Sequence, residues 1–139
     1  MAKNNFPPLL HLTYILQQVS DEVLLEEAGI GLSQVRLMSV LDLSKPKSQR
    51  EVARALSQTE ANVSRQIRQM GKDGLVSIRR NKKDSRQREV LLSTKGSKKY
   101  QESEKILKRQ QASFLKMLKT SELNAFENAA QLLSAGHNI

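Results

Sequence analysis

The middle of this chain contains two helix-start signals so close together that the first helix must be short and the connection to the second must be tight. Ser48 and Glu51 form an S-x-x-E capping box, in which each side chain satisfies a backbone N–H of the other residue. The helix that they begin is short and ends near Leu56. Thr59 caps a second helix, which stops at the glycine-containing segment 71–74. Two short helices separated by about three residues predict a helix-turn-helix.

The apolar pattern changes its period after the second helix. Leu75, Val76 and Ile78 are strand-forming residues, segment 80–85 has turn composition, and strand character returns over 89–92. These features predict a β-hairpin. A helix-turn-helix followed directly by a β-hairpin predicts a winged helix.

Helical patterns flank this region on the N-terminal side. Apolar residues recur at helical spacing over 9–28, and glycines then close the helix. Ser33 is the expected N-cap of a second helix, with Leu41 on its inner face, and segment 44–47 is expected to be a loop.

Two further helices are predicted on the C-terminal side. Ser93 is the expected N-cap of a long helix, and a last helix begins at Thr120 and ends at Gly136. The predicted order is four helices, a hairpin and two helices. The fold class is mainly α, a winged helix-turn-helix with a short β-hairpin wing and helices on both sides.

The charge of the chain is concentrated in one segment. The whole sequence has 23 Lys and Arg against 14 Asp and Glu, a net charge of +9. Residues 62–100 hold twelve basic and three acidic residues, so the remainder is neutral. Such clustering favours a polyanionic partner. No aromatic residue lies between Arg65 and Lys99, which argues for duplex DNA, because proteins that bind single strands stack bases on aromatic rings.

The second helix of the helix-turn-helix has the composition of a DNA-reading helix. Val63, Ile67 and Met70 define its buried side, and the opposite side is cationic, amide or hydroxyl in character. Arg, Asn and Gln suit the base edges displayed in the major groove. The candidate DNA-binding residues of this helix are Asn62, Ser64, Arg65, Gln66, Arg68 and Gln69. The alternative is an ordinary amphipathic surface helix.

The predicted hairpin is strongly basic, with a net charge of +5 over residues 79–88. A basic tip beside a groove-reading helix can straddle a phosphate backbone and place an arginine in the minor groove. The candidate wing residues are Arg79, Arg80, Lys82, Lys83, Asp84, Arg86 and Arg88. The alternative is a charged hairpin that only avoids edge-to-edge pairing.

Five motifs together resemble the MarR family of bacterial and archaeal transcription regulators. Gly74-Leu75-Val76, Asp84-Ser85-Arg86 and Leu92-Ser93-Thr94-Lys95-Gly96 are similar to the wing signature of that family, with Ser93 where threonine is usual. Glu51-Val52-Ala53-Arg54-Ala55-Leu56 and Asn62-Val63-Ser64-Arg65 are similar to its helix-turn-helix. The resemblance implies that Arg86 is the wing arginine, that Asp84 orders the wing, and that Arg65 is the basic residue of the recognition helix.

The resemblance also implies a homodimer and a DNA-binding lobe between dimerisation helices. We expect one domain over 1–139, with the lobe at 32–96 and dimerisation helices at 9–28 and 97–135. A winged helix should need neither flanking apolar stripe for its own core, so the stripes are expected to meet in a symmetric partner. The candidate interface residues are Leu12, Ile15, Leu16, Val19, Phe114, Leu118 and Phe126. The family further implies a repressor released by a small-molecule effector, which the sequence does not identify.

Other functions have weaker support. His11 and His137 lie at opposite ends of the chain and there is no cysteine, so we expect no enzyme, metal or cofactor. No apolar stretch is long enough to span a membrane, and no signal peptide is evident, so a cytoplasmic protein is expected. Two alternatives remain: a winged helix that binds protein, and a nonspecific architectural DNA-binding protein. The basic face of the recognition helix argues against the first.

Overall fold

The computed structural model describes residues 5–137. Its helices are α1 (Pro8–Ala28), α2 (Leu32–Met38), α3 (Gln49–Leu56), α4 (Glu60–Lys72), α5 (Thr94–Leu115) and α6 (Thr120–Ala135), and its strands are β1 (Lys47–Ser48), β2 (Val76–Arg80) and β3 (Arg88–Leu92). The first four residues, on which the expectation about a signal peptide partly rests, and the last two lie outside the described part. The mainly α winged helix-turn-helix is confirmed. None of the helices within 5–137 is long and apolar enough to cross a membrane.

Three of the predicted helix caps are confirmed. The Ser48 hydroxyl accepts the N–H of Glu51 at 3.1 Å, and the Glu51 carboxylate accepts the N–H of Ser48 at 3.3 Å. The Thr59 and Ser93 hydroxyls each accept the backbone N–H three residues on, at 3.2 and 2.9 Å. Local side chains therefore define the starts of α3, α4 and α5.

The predicted cap of α2 is wrong. The N-cap is Gly31, not Ser33, and its N–H is accepted by the Gln34 side chain at 3.0 Å. The next free amide, that of Leu32, donates to the carboxylate of Asp21 on α1 at 2.8 Å. A side chain from another helix satisfies this end of α2, and local sequence does not reveal such a partner.

The connection from α2 to β1 also differs from the prediction. Leu41, expected on the inner face of α2, lies beyond its end at Met38 and is half-buried. The carboxylate of Asp42 accepts the backbone N–H groups of Ser44 and Lys45, at 2.8 and 3.1 Å. These hydrogen bonds hold the pKa of the Asp42 carboxyl below its usual value, because they stabilise the charged form.

The sheet has three antiparallel strands in the order β1-β3-β2. The prediction that Lys47 lies in a loop is wrong, because Lys47 pairs with Val90 and Ser48 pairs with Glu89. Two residues are too few to show a strand period, so β1 has no sequence signal of its own. Its pairing with Glu89 and Val90 attaches the start of α3 to the wing strand β3.

The core lies mainly in the winged helix but takes residues from both flanking helices. Its buried apolar residues are Leu24, Ala28, Ile30, Val35, Leu37, Met38, Val52, Ala53, Val63, Ile67, Met70, Leu75, Val76, Val90, Leu92 and Ile106. The expectation that the winged helix needs neither flanking stripe is therefore wrong for the C-terminal end of α1, which buries Leu24 and Ala28, and for the middle of α5, which buries Ile106. α6 contributes no buried residue within the described chain.

Candidate nucleic-acid interface

Helix α4 turns its apolar side into the core and its polar side to solvent. Val63, Ile67 and Met70 are completely buried. Among the predicted DNA-binding residues of α4, Asn62, Arg65, Arg68 and Gln69 are exposed, whereas Ser64 and Gln66 are half-buried. These four exposed residues give the solvent side of α4 a surface of cationic and amide groups.

Several of these side chains already have partners on the same face or beside it. The Arg65 guanidinium donates to Asn62 Oδ1, and Gln69 Nε2 donates to Asp73 Oδ1 at 3.4 Å. Gln66 Nε2 donates to Gln58 Oε1 at 3.5 Å, at the joint between α3 and α4. Arg65 and Asn62 are therefore positioned as a pair, and Gln66 faces the turn that precedes α4.

The tip of the wing is ordered by two short polar side chains. Asn81 Oδ1 accepts the N–H of Lys83 at 2.7 Å, and Asp84 Oδ1 accepts the N–H of Arg86 at 3.0 Å. Asp84 therefore acts on the backbone of the turn. The turn spans 81–87 and holds Lys82, Lys83, Asp84 and Arg86.

The other predicted wing residues lie on the strands. Arg79 and Arg80 are on β2, and Arg88 is on β3 directly opposite Arg80. The Arg79 Nε donates to Glu89 Oε2 at 3.1 Å, across the two strands. All seven predicted wing residues are exposed, so the hairpin presents its charge to solvent over its whole length.

The start of α5 holds the turn between α4 and the wing. The Ser93 hydroxyl donates to the carbonyl of Gly74 at 2.6 Å, and Lys95 Nζ donates to the carbonyl of Asp73 at 2.8 Å. A Cβ atom on Gly96 would lie 1.9 Å from the carbonyl oxygen of Leu75. These contacts connect α4, the wing and α5 at one point.

The predicted interface residues are divided between exposed and half-buried positions. Val19 on α1 and Phe126 on α6 are exposed. The others, which are Leu12, Ile15, Leu16, Phe114 and Leu118, are half-buried within this chain.

A cleft opens between the flanking helices and the winged helix. Its wall is formed by Leu16 of α1, Leu32 and Arg36 of α2, and Phe114 and Phe126 from α5 and α6. Its lining is mainly apolar and includes one cation, Arg36. Within the described residues, no group of His, Asp or Glu side chains is arranged to hold a metal ion.

Residues 28–87 match the sequence model described as the MarR family. The matched range covers the helix-turn-helix and most of the wing. The resemblance to the MarR family is confirmed. Among curated proteins, none matches this sequence.

Solved MarR-type structures are similar over nearly the whole chain. A crystal structure of MarR has a TM-score of 0.83 at 14% identity, covering 98% of this chain and 95% of that one. A Staphylococcus aureus MepR–DNA complex has a TM-score of 0.76 at 21% identity, covering 96% and 99%. A MarR variant from E. coli complexed with operator DNA has a TM-score of 0.74 at 20% identity, covering 94% and 99%. At these identities the likeness establishes the fold, so the chain has the MarR fold from α1 to α6.

Proposed function

We propose that this protein is a transcription regulator that binds double-stranded DNA as a homodimer at a pseudo-palindromic operator. The observation that carries the proposal is the exposed cationic and amide face of α4 beside the basic wing. An α-helix fits the major groove, and such side chains match the donors and acceptors displayed there. Two of the similar structures, those of MepR and of the MarR variant, contain DNA.

The two elements have separate roles in this proposal. Arg65 and Asn62 read base edges, with Arg68 and Gln69 alongside. Arg86 reaches the minor groove from the wing tip, the other basic wing residues contact phosphates, and Asp84 holds the backbone of the turn. Ser64 and Gln66 are the less accessible members of the proposed set, since both are half-buried.

The homodimer is proposed because the flanking helices expose apolar side chains that this chain does not cover. The exposed large apolar residues on α1 and α6 include Leu9, Leu10, Tyr14, Val19, Leu25, Phe126, Leu132 and Leu133. Large apolar side chains left exposed on two helices are typical of an interaction surface, and most soluble homo-oligomers are two-fold dimers. A dimer in turn accounts for a two-fold operator.

Repression by occupying a promoter, and release by a small-molecule effector, are proposed from the family resemblance. The cleft walled by Leu16, Leu32, Arg36, Phe114 and Phe126 is the proposed effector site. It lies between the dimerisation helices and the DNA-binding lobe, so a bound molecule would change the position of the lobe relative to those helices.

The test is selection of bound duplexes from a random pool, followed by sequencing. An enriched palindrome with two half-sites supports the proposal and gives the operator. Binding without any enriched sequence would instead identify a nonspecific architectural protein. No binding at low salt would favour a winged helix that binds protein.

A further inference from the structure

A groove between the wing and the helix-turn-helix gathers three arginines. Arg50 from the first turn of α3, and Arg86 and Arg88 from the wing, line it together with Glu60 from the first turn of α4. The sheet order explains the arrangement, because β3 pairs with β1 and β1 leads directly into α3. Arg50 lies outside the basic segment of the sequence and was not among the predicted DNA-binding residues.

The only carboxylate lining this groove in the described chain holds Arg50. Arg50 Nε donates to Glu60 Oε1 at 3.1 Å, and the two side chains are 73% and 59% exposed. The neighbouring acids have other partners, since Glu51 caps α3 and Glu89 pairs with Arg79. The groove therefore retains a net positive charge, while its Arg50 is restrained by Glu60.

In such an exposed ion pair, the arginine can readily exchange its carboxylate partner for another anion. Solvent-exposed pairs contribute little to stability, because water screens them and two long side chains lose freedom. A DNA phosphate offers the guanidinium a charge-assisted, bidentate partner that Glu60 does not match through Nε alone. Glu60 would meanwhile repel that phosphate.

We propose that this groove binds a backbone phosphate of DNA through Arg50, and that Glu60 lowers its affinity by holding Arg50 in the free protein. The inference rests on the proposed function and extends it to a site outside the recognition helix and the wing tip. Because a phosphate carries no base identity, the groove sets affinity and salt dependence and leaves sequence preference unchanged.

The experiment measures duplex binding of full-length R50A, E60Q and the double variant by fluorescence anisotropy at several salt concentrations. The probes are the duplex enriched from the random pool and a scrambled duplex of equal length. R50A should lose about tenfold affinity on both probes and lower the salt slope by about two per dimer, one for each lost contact. E60Q should gain several-fold on both probes, and this gain should disappear in the R50A background.

Matched controls come from the exposed ion pair between Arg109 of α5 and Glu27 of α1. R109A and E27Q make the same changes in charge away from the groove. If R50A and E60Q behave like these controls, the inference is overturned. It is also overturned if E60Q gains equally in the R50A background, since Glu60 would then act by general repulsion alone.

Melting temperatures exclude a purely structural role. If R50A and E60Q both lower affinity and both melt earlier than the controls, the pair only joins α3 to α4 and the inference is overturned. A wild-type protein that binds no duplex overturns the proposed function and the inference with it. Normal binding by wild type with unaltered variants overturns the inference alone.

Discussion

At the scale of single residues, Asp84 and Arg86 have different roles at the wing tip. Asp84 is engaged with the backbone N–H of Arg86. Within residues 5–137, the Arg86 guanidinium has no intramolecular hydrogen bond or ion pair, in contrast to Arg65, which pairs with Asn62. Arg86 is therefore presented on an ordered turn with its donors available, whereas Arg65 is held in place on a rigid helix.

This difference predicts distinct effects of two alanine substitutions. Arg86→Ala should weaken most operators similarly, by about 1–3 kcal/mol, and should lower the salt slope, because a groove contact made through charge is lost. Operators with A·T tracts near their outer ends should be most sensitive, since a narrow minor groove attracts arginine. Arg65→Ala should instead relax the preference at one base pair in each half-site. The measurement is binding to a panel of single-base operator variants at two salt concentrations.

The panel also identifies an error in this assignment. A uniform loss for Arg65→Ala, together with a changed base preference for Arg86→Ala, would reverse the two roles. If neither variant differs from wild type, the DNA-binding surface has been assigned to the wrong elements.

At the scale of elements, the start of α5 determines how the recognition helix and the wing are joined. Ser93 and Lys95 bond the carbonyls of the turn after α4, and Gly96 lets the α5 backbone approach Leu75 closely. The Leu-Ser-Thr-Lys-Gly motif therefore has a physical explanation. Ser93 caps α5, and Gly96 has no side chain to collide with the backbone of Leu75. A shift of the start of α5 would therefore displace the turn that joins α4 to the wing.

Gly96→Ala should destabilise the protein by about 1–3 kcal/mol, the usual range for overpacking a filled site. The added Cβ would lie 1.9 Å from Leu75 O and 3.0 Å from Leu92 Cδ1, so backbone must move. Gly136→Ala is the matched control, because its Cβ would meet its nearest neighbours at ordinary contact distance, 3.6 Å. Urea unfolding measures both. Equal stabilities for the two variants would show that the contact at Leu75 relaxes without cost.

At the scale of the whole molecule, the winged helix is packed, whereas parts of the flanking helices are not. α6 has no buried residue in the described structure, and the first half of α1 has none either. Leu133 and Leu132 of α6 are 58% and 76% exposed. Two copies that cover these faces would place two recognition helices in one symmetric particle.

Sedimentation equilibrium should therefore give twice the chain mass of 15.7 kDa. Leu133→Asp should shift the protein toward monomer, because a charge buried in an apolar interface without a partner is costly. Leu43→Asp is the control, since Leu43 is similarly exposed, at 53%, but lies in the connection between α2 and β1. A stable monomer at micromolar concentration that still binds its operator tightly would contradict the dimer.

The sequence by itself determined the elements whose signals are local. Ser48, Thr59 and Ser93 cap helices through hydrogen bonds that span three residues, so their motifs are visible without the fold. The apolar side of α4 follows from its period. The concentration of charge on α4 and the wing is likewise a property of the sequence.

Only the tertiary structure decided the features that depend on residues distant in the chain. Asp21 satisfies the start of α2 from α1, and Ile106 enters the core from α5. β1 exists because β3 pairs with it, and that pairing places Arg50 beside the wing. A two-residue strand, a cap from another helix and a groove between elements have no local pattern, because their partners meet only when the chain is folded.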